Sequence, residues 1–269
     1  MPGEPATTDT ADGNKWSAAV AVVAGSPGMT GAAAMCARAA YRSGAGMVRL
    51  GVPGGDPAQL PATEAVGVEL PAVGWATPAL AAADRCRAVV VGPGLGRADG
   101  TAEEVRRLLA EVSVPTVVDA DGLYALGRLD PGSLVAAAPL VLTPHDGEYE
   151  RLVGSAPGPD RVAAARHLAR LSGAVALLKG PTTAVADPAG RVLLGRTGTV
   201  ALATAGTGDV LAGVIGAFLA LGTPSIEAAA LGAHIHGRAG GRGSGCGLLA
   251  SDLPDLVTEV LDGMEMTRG

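Results

Sequence analysis

The chain has 269 residues, of which 48% are hydrophobic and 2% aromatic, and its formal net charge is −6. This length suits one large α/β domain with a core of small aliphatic side chains better than two small domains. The negative charge and the lack of any basic run argue against a nucleic-acid-binding surface. Residues 1–15 are mostly small and polar, and we expect a disordered leader there, before a single domain over residues 16–269.

Apolar β-type segments alternate with helical segments along this domain. Strands are predicted at residues 18–24, 47–52, 88–91, 114–118, 140–142 and 175–178, and a hairpin at 183–187 and 192–194. Helices are predicted at residues 28–43, 101–111, 160–171, 206–221, 224–240 and about 251–262. Because the strands are apolar throughout and are separated by helices, the pattern predicts an α/β fold with a mostly parallel central sheet and helices on both faces.

Most of the predicted strands end in glycine-rich or polar residues. These ends lie at residues 25–26, 92–94, 119–121, 143–145 and 179–180. In open α/β sheets, ligands bind at the carboxyl ends of the strands. We therefore expect the functional site at this edge of the sheet.

Three features predict a cytoplasmic protein without a membrane partner. Residues 1–14 lack the basic and apolar regions of a signal peptide. The longest apolar stretch, residues 210–221, is too short to span a bilayer. Cys36, Cys86 and Cys246 are far apart and form no C-x-x-C pair, which is typical of reduced, buried thiols.

Two common phosphate-binding motifs are missing from the sequence. It contains no G-x-x-x-x-G-K-[ST], because neither of its lysines, Lys15 and Lys179, follows a glycine. Residues 92–96, G-P-G-L-G, lack the spacing of G-x-G-x-x-G. A P-loop nucleotidase and a Rossmann dehydrogenase are therefore disfavoured. The glycines at 92–96 either let a ligand approach the backbone or form an ordinary turn between a strand and a helix.

Residues 204–213, T-A-G-T-G-D-V-L-A-G, place one carboxylate, Asp209, where a flexible segment enters an apolar helix. Free N–H groups and the positive dipole end of a helix N-terminus suit a phosphate. Asp209 would then stand beside a bound anion and handle a proton or a metal ion. The alternative is an ordinary helix start, capped by Thr or Asp.

Other polar residues at the strand ends also allow two interpretations. His145 either contacts a ligand or only makes structural hydrogen bonds, and Glu148 either stabilises the first turn of a helix or holds magnesium through water. Lys179 either binds a nucleotide phosphate, together with the flexible residues that follow it, or is a surface lysine at a turn. His234 and His236 diverge on a helix, so we interpret them as structural rather than as shared metal ligands.

Seven motifs occur in one order along residues 18–262. They are G-S with G-A-A at 25–33, R-S-G-A-G-M-V at 42–48, V-G-P-G-L-G at 91–96, V-D-A-D at 118–121, L-T-P-H-x-G-E at 142–148, L-K-G at 178–180 and G-T-G-D-V-L-A-G at 206–213. In this order they resemble the ADP/ATP-dependent NAD(P)H-hydrate dehydratases of the ribokinase-like superfamily. The pair T-P-H-x-G-E and G-T-G-D discriminates best.

The resemblance implies a ribokinase-like fold and a cofactor-repair enzyme. Reduced nicotinamide cofactors can add water across a ring double bond, and the family removes that water from the S form of NAD(P)H hydrate with ADP or ATP as co-substrate. The implied mechanism phosphorylates the C6 hydroxyl of the ring, after which phosphate leaves, pushed by the ring nitrogen. Backbone N–H groups near Gly206 would stabilise the transferred phosphoryl group.

The resemblance also implies the role of each matching residue. Asp209 is the implied catalytic base, which accepts the hydroxyl proton. The implied substrate-binding residues are Ala32, Gly94, His145 and Asp209. The implied nucleotide-binding residues are Lys179, Gly180, Pro181, Thr182, Thr183, Gly206 and Gly208. Glu148 is implied to help hold Mg²⁺ through water.

The sequence departs from the family pattern at two positions near these residues. Ala205 stands where the family commonly has glycine, and Asp146 stands where it commonly has proline. A chain of 269 residues holds only the dehydratase unit, so we expect functional pairing with a separate NAD(P)H-hydrate epimerase, and the alanine-rich helices predict a homo-oligomer.

Two alternative functions remain at this point. One is a ribokinase-like kinase acting on a thiamin precursor, against which the T-P-H-x-G-E motif argues. The other is a non-catalytic nucleotide-binding regulator, against which the presence of Asp209 argues, because binding alone needs no base.

Overall fold

The computed structural model describes residues 14–60, 62, 64–243 and 247–265. Residues 1–13 of the expected leader, and Cys246, lie outside the described residues. The described chain begins with a short 3₁₀ turn, Lys15–Ala18, in which the side chain of Asn14 accepts a hydrogen bond from the Trp16 N–H. Within the described residues, no helix combines the length and the apolar character that crossing a membrane requires.

Nine strands and nine α-helices make up the described part of the chain. The strands are β1 (Ala19–Val23), β2 (Met47–Gly51), β3 (Val66–Val68), β4 (Ala88–Val91), β5 (Thr116–Val118), β6 (Leu140–Leu142), β7 (Val175–Leu178), β8 (Thr183–Ala186) and β9 (Val192–Gly195). The helices are α1 (Thr30–Arg42), α2 (Ala76–Ala83), α3 (Thr101–Glu111), α4 (Asp121–Leu126), α5 (Asp146–Val153), α6 (Arg161–Ser172), α7 (Thr207–Ala220), α8 (Ser225–Arg242) and α9 (Leu253–Glu265).

The strands form one sheet in the order β3-β2-β1-β4-β5-β6-β7-β8-β9. The pairs from β3 to β7 are parallel, and β8 and β9 extend the sheet as an antiparallel hairpin. The carboxyl ends of β1, β4, β5, β6 and β7 therefore lie side by side along one edge. The predicted α/β fold with a mostly parallel central sheet is confirmed.

The two faces of the sheet have separate cores. On one face, Val20 and Val22 of β1 pack with α1, α7, α8 and α9. On the other face, Ala21 and Val23 pack with helices α2 to α6. The side chains of β1 alternate between the two cores, because successive residues of a strand point to opposite faces. The helices on both faces that the sequence predicted are thus confirmed.

Small residues let the helices approach closely in a chain that has few aromatic residues. Gly213 of α7 lies against the backbone of α1, where an added Cβ would collide with the Cys36 carbonyl oxygen. Gly216, one turn later, lies against Val90 of the sheet in the same way. Helix α7 is consequently buried from Val210 to Ala220, and its N-terminus lies at the carboxyl edge of the sheet.

Sequence patterns missed four short elements. These are β3, an exposed edge strand, and the helices α2, α4 and α5, which have six to eight residues each. Other ends moved by a residue or two: the predicted helix 28–43 is Thr30–Arg42, and the predicted strand 114–118 is Thr116–Val118.

Candidate active site

Three polar side chains meet where β5, β6 and β7 end. Asp119, which follows β5, is only 1% exposed. Its Oδ1 accepts hydrogen bonds from Thr143 Oγ1 at 2.7 Å and from Lys179 Nζ at 2.8 Å. A buried carboxylate needs such partners to remain charged. Asp119 therefore ties three neighbouring strand ends into one polar cluster.

The chain turns sharply after Asp119 and contacts the glycine loop that follows β4. Ala120 has φ 49° and ψ −119°, and among the described residues it is the one non-glycine residue with positive φ. A side chain at Gly92 would collide with the Asp119 carbonyl oxygen. The Asp121 carboxylate accepts a hydrogen bond from Gly96 N at 3.0 Å. The glycines of this loop thus let two strand ends approach each other closely.

His145 and Glu148 form the N-terminal cap of α5. His145 Nδ1 accepts hydrogen bonds from the Gly147 and Glu148 N–H groups, at 3.0 and 3.2 Å. Glu148 Oε2 accepts one from the His145 N–H at 2.8 Å. Because Nδ1 is an acceptor, the proton of a neutral ring lies on Nε2. The side chain of His145 is 60% exposed, so this Nε2–H can donate to a ligand.

Lys179 places its ammonium group among carboxylates. In addition to the bond to Asp119, its Nζ lies 3.6 Å from Glu148 Oε2. Burial lowers the pKa of Lys179, but Asp119, Glu148 and Asp209 together raise it above its ordinary value. Lys179 is therefore a permanent cation, which neutralises part of the acidic cluster as well as facing any phosphate bound there.

The segment before α7 brings backbone N–H groups to this cluster. Gly206, the N-cap residue, has φ 92°, a conformation that favours glycine. The hydroxyl of Thr207 donates to two carbonyl groups of the preceding turn. A Cβ on Gly208 would lie 3.4 Å from Lys179 Nζ and 3.6 Å from Asp119 Oδ2. The open N-terminal turn of α7 thus lies directly on the lysine–aspartate pair.

Asp209 has an unusual pKa for a carboxyl group. Burial and then the charge of Asp119 raise its pKa to about 7, with smaller contributions from Asp121 and Glu148, while Lys179 opposes the shift. A general base works best when its pKa is close to the pH at which it operates. The surroundings of Asp209 therefore suit proton transfer near neutral pH.

Ala32 and Gly94 pack against each other at the start of α1. Gly94 has φ 60°, and a Cβ there would lie 2.7 Å from the Ala32 Cβ. Ser26 Oγ donates to the Gly94 carbonyl at 3.0 Å. One turn beyond Ala32, burial and then the charge of Asp209 raise the pKa of the Cys36 thiol. The face of α1 that carries Ala32 is thus close to Asp209.

Residues 180–183 form the turn between β7 and β8. Thr183 Oγ1 donates to the Gly180 carbonyl at 3.4 Å. Pro181 is exposed, and Thr182 and Thr183 are half-buried. Gly198 lies over this turn, because a Cβ there would be 3.4 Å from the carbonyl oxygens of Gly180 and Pro181. The expected nucleotide segment is therefore an accessible turn that begins at Lys179.

The residues selected from sequence fall into three groups in the structure. One group surrounds Asp119 and comprises His145, Glu148, Lys179, Gly206, Gly208 and Asp209. A second group is the contact between Ala32 and Gly94. The third group is the turn of Gly180, Pro181, Thr182 and Thr183, which Lys179 joins to the first.

The chain is similar to proteins of one known family. The family model described as NAD(P)H-hydrate dehydratase matches residues 20–259. The ADP-dependent (S)-NAD(P)H-hydrate dehydratase of Neisseria meningitidis is 38% identical over 245 residues, which cover 87% of this chain and 81% of that protein.

The chain belongs to the NAD(P)H-hydrate dehydratase family.

A bifunctional NAD(P)H-hydrate repair enzyme (Nnr) of Salinibacter ruber is 45% identical over 266 residues, which cover 93% of this chain and 49% of that protein. The chain thus spans about half the length of such bifunctional relatives. An ADP/ATP-dependent NAD(P)H-hydrate dehydratase of Bacillus subtilis, co-crystallised with ATP and Mg²⁺, superposes with a TM-score of 0.78 at 28% identity and covers 98% of this chain and 94% of that one.

The two departures from the family pattern have simple surroundings here. Ala205 is exposed and has no positive φ, so a methyl group is tolerated where the family commonly has glycine. Asp146 accepts an ion-paired hydrogen bond at 2.9 Å from Arg161, the first residue of α6. The His145 cap is complete with Asp146 beside it.

The described residues contain no preformed metal site, because no three His, Cys, Asp or Glu side chains among them are arranged so that they could hold a metal ion. Mg²⁺ usually binds one or two carboxylates together with substrate phosphates and water. Glu148 uses Oε2 to cap α5, and its side chain is 18% exposed beside Lys179. The site therefore fits magnesium that arrives with a nucleotide.

Two residues that organise the site, Asp119 and Arg161, were given no role from the sequence. Asp119 appeared within the V-D-A-D motif, and its position at the end of a buried strand was the signal available. Arg161 donates to the Lys179 carbonyl, but it lies outside every motif.

His236, which we expected to be structural, is buried, and burial lowers its pKa to about 4, so the ring is neutral at pH 7.

Proposed function

We propose that this protein is an NAD(P)H-hydrate dehydratase that uses ADP or ATP to restore NAD(P)H from the S form of its hydrate. The observation that carries the proposal is the arrangement around Asp209. A carboxyl group with a pKa of about 7 lies in the first turn of α7, beside the cation of Lys179. A proton acceptor next to a phosphate-binding helix end is what phosphorylation of a hydroxyl group requires. The names of the Neisseria and Bacillus relatives support the same reaction.

Phosphorylation of the hydrate converts a poor leaving group into a good one. Hydroxide leaves carbon poorly, whereas a phosphate group leaves well. In the proposed first step, the C6 oxygen attacks the terminal phosphorus of the nucleotide, the bond to the shortened nucleotide breaks, and Asp209 takes the hydroxyl proton. In the second step, the ring nitrogen lone pair expels phosphate from C6. Loss of a proton from C5 then restores the ring double bond.

The groups around Asp209 assist this reaction by binding and orienting the nucleotide and the hydrate. N–H groups of the Gly206–Thr207–Gly208 turn bind the transferring phosphoryl group, and Lys179 supplies positive charge beside them. His145 donates its Nε2–H to the hydrate, while Ala32 and Gly94 leave space for the flat ring. Residues 180–183 hold the rest of the adenine nucleotide.

Magnesium and partner proteins complete the proposal. Bound Mg²⁺ neutralises phosphate charge, and Glu148 holds it through water. A separate NAD(P)H-hydrate epimerase would convert the R form of the hydrate into the S form that this enzyme uses. We further propose a cytoplasmic homo-oligomer.

An assay with competing substrates tests the function against its alternatives. Purified protein receives ADP or ATP with Mg²⁺ and either hydrated NADH, hydrated NADPH or a hydroxymethylpyrimidine thiamin precursor. A dehydratase restores the dihydronicotinamide absorbance and leaves the pyrimidine unphosphorylated. Phosphorylation of the pyrimidine alone would establish the kinase alternative. Nucleotide binding without turnover of any of the three would establish the regulator.

A further inference from the structure

Arg161 connects two strand ends of the candidate site. It is the first residue of α6, and its Nη2 donates to the Lys179 carbonyl at 2.5 Å. Its Nη1 lies 2.9 Å from Asp146 Oδ1, in the first turn of α5. One guanidinium group therefore bridges the turn that carries His145 and the turn that begins the expected nucleotide segment.

The guanidinium also lies against the backbone of Gly180. A Cβ at this glycine would lie 2.7 Å from Arg161 Nη2 and 2.9 Å from Cζ. The side chain of Arg161 is only 20% exposed. A half-buried, planar group that contacts both Lys179 and Gly180 restricts the direction in which the chain leaves β7.

The pairing of β6 with β7 does not depend on this arginine. Lys179 N donates to the Pro144 carbonyl at 2.8 Å, and Leu142 pairs with Ala176 in the parallel ladder. Furthermore, Arg161 Nε is buried and has no hydrogen-bond partner among the described residues. Burying an incompletely bonded guanidinium is costly. A role in simple strand association accounts poorly for that cost.

We propose that Arg161 is a positioning residue for the adenine nucleotide. It fixes the Lys179 carbonyl and the Gly180 backbone, so that residues 179–183 are preorganised for binding, and Asp146 holds the guanidinium in place. This inference rests on the proposed function for the identity of the nucleotide. The cap of α5 is independent of Arg161, because His145 and Glu148 bond each other, so the hydrate side should be unaffected.

Calorimetric titration with ADP in the presence of Mg²⁺ tests the inference without relying on turnover. Arg161→Ala should raise the Kd for ADP about tenfold, since ordering the turn must then accompany binding. In the dehydratase assay, the KM for ADP should rise by a similar factor, while the KM for the hydrate stays within about twofold. Arg170→Ala, which removes an exposed arginine from the same helix, is the matched control and should leave both constants unchanged.

Two further variants keep the test valid if Arg161→Ala folds poorly. Arg161→Lys keeps the charge but cannot bridge two acceptors with one planar group, so it should recover only part of the ADP affinity. Asp146→Ala should weaken ADP binding less than Arg161→Ala does. In the double variant Asp146→Ala/Arg161→Ala, the loss of ADP affinity should equal that of Arg161→Ala alone, because both residues act through one contact.

The outcomes separate this inference from the proposed function. ADP affinity within twofold of wild type in both Arg161→Ala and Arg161→Lys would overturn the positioning role, and so would equal increases in the two KM values. If wild type binds ADP but never restores NADH, the proposed function fails, whereas the ADP titration still decides the role of Arg161. The same titration with ATP covers the other nucleotide, and if wild type binds neither ADP nor ATP, both are wrong.

Discussion

Asp209 shares its surroundings with three other carboxylates and one ammonium group, and this gives the reaction a predictable pH dependence. Its pKa is raised to about 7, so the carboxyl group is mostly protonated, and inactive as a base, below that pH. We expect kcat/KM to rise with unit slope up to about pH 7 and to level off above it. The measurement is kcat/KM for the hydrate from about pH 5.5 to 9 at saturating nucleotide. A flat profile across that range would contradict the assignment of Asp209 as the base.

Replacement of Asp209 should separate binding from chemistry. Asp209→Asn keeps the size of the side chain but removes the proton acceptor, so turnover should fall by about two orders of magnitude or more. Calorimetry should give a Kd for ADP within a few-fold of wild type, because the N–H groups of the α7 turn are still present. Near-normal turnover of this variant would mean that another group takes the proton.

At the scale of elements, the turn from Gly206 into α7 must keep its left-handed residue. Gly206→Ala places a side chain at φ 92°, with its Cβ 2.5 Å from the end of the Met35 side chain. We expect the turn to shift and kcat/KM to fall about tenfold or more, because the N–H groups lose their alignment on the phosphoryl group.

Gly190→Ala is the matched control for that variant. Gly190 has φ 93° in the β8–β9 hairpin, at the opposite edge of the sheet, and its added Cβ meets nothing within 4 Å. Both variants therefore carry similar backbone strain, of about 1 kcal/mol or more, and a lowered Tm. Steady-state kinetics should show a loss of activity in Gly206→Ala alone. An equal loss of activity in both would indicate that strain, rather than the position of the turn, is responsible.

The elements that sequence patterns located well have strong local signals. Helix α3 was predicted at its observed limits, since Gly100 precedes an amphipathic run with two acidic residues in its first turn. Strands β4, β6 and β7 are short, fully buried apolar runs. Helix α4 has six residues, too few to show a periodicity, and its start depends on the unusual conformation of Ala120. Its formation is decided by tertiary contacts that no local pattern contains.

The candidate site shows the same division between local and long-range information. His145 and Glu148 cap one helix within four residues, so a short motif can specify their geometry. Lys179 and Asp119, by contrast, are 60 residues apart, and their bond exists only because β5 and β7 flank β6 in the sheet. The sequence motifs therefore selected side chains that the structure brings together, but they related Lys179 to the nucleotide alone and missed its buried carboxylate partner.

At the scale of the whole molecule, the sheet brings the three groups of site residues to a single edge. Seven parallel strands end there, and small residues let α7 pack closely against α1, so that its N-terminus faces the Asp119–Lys179 pair. A hydrate on the Ala32–Gly94 side and a nucleotide on the 179–183 side would then meet at the first turn of α7. This arrangement would suit transfer of a phosphoryl group between the two ligands that we propose.

The stoichiometry of a single reaction mixture tests this account most directly. Purified protein is mixed with (S)-NADH hydrate, ADP and Mg²⁺, and NADH, inorganic phosphate and AMP are measured together over time. In a second mixture, ATP replaces ADP, and ADP is measured in place of AMP. We expect equal amounts of NADH, inorganic phosphate and the shortened nucleotide in at least one of the two mixtures, at a rate that Asp209→Asn lowers at least about a hundredfold. Formation of NADH without consumption of a nucleotide, or no NADH with either nucleotide, would contradict it.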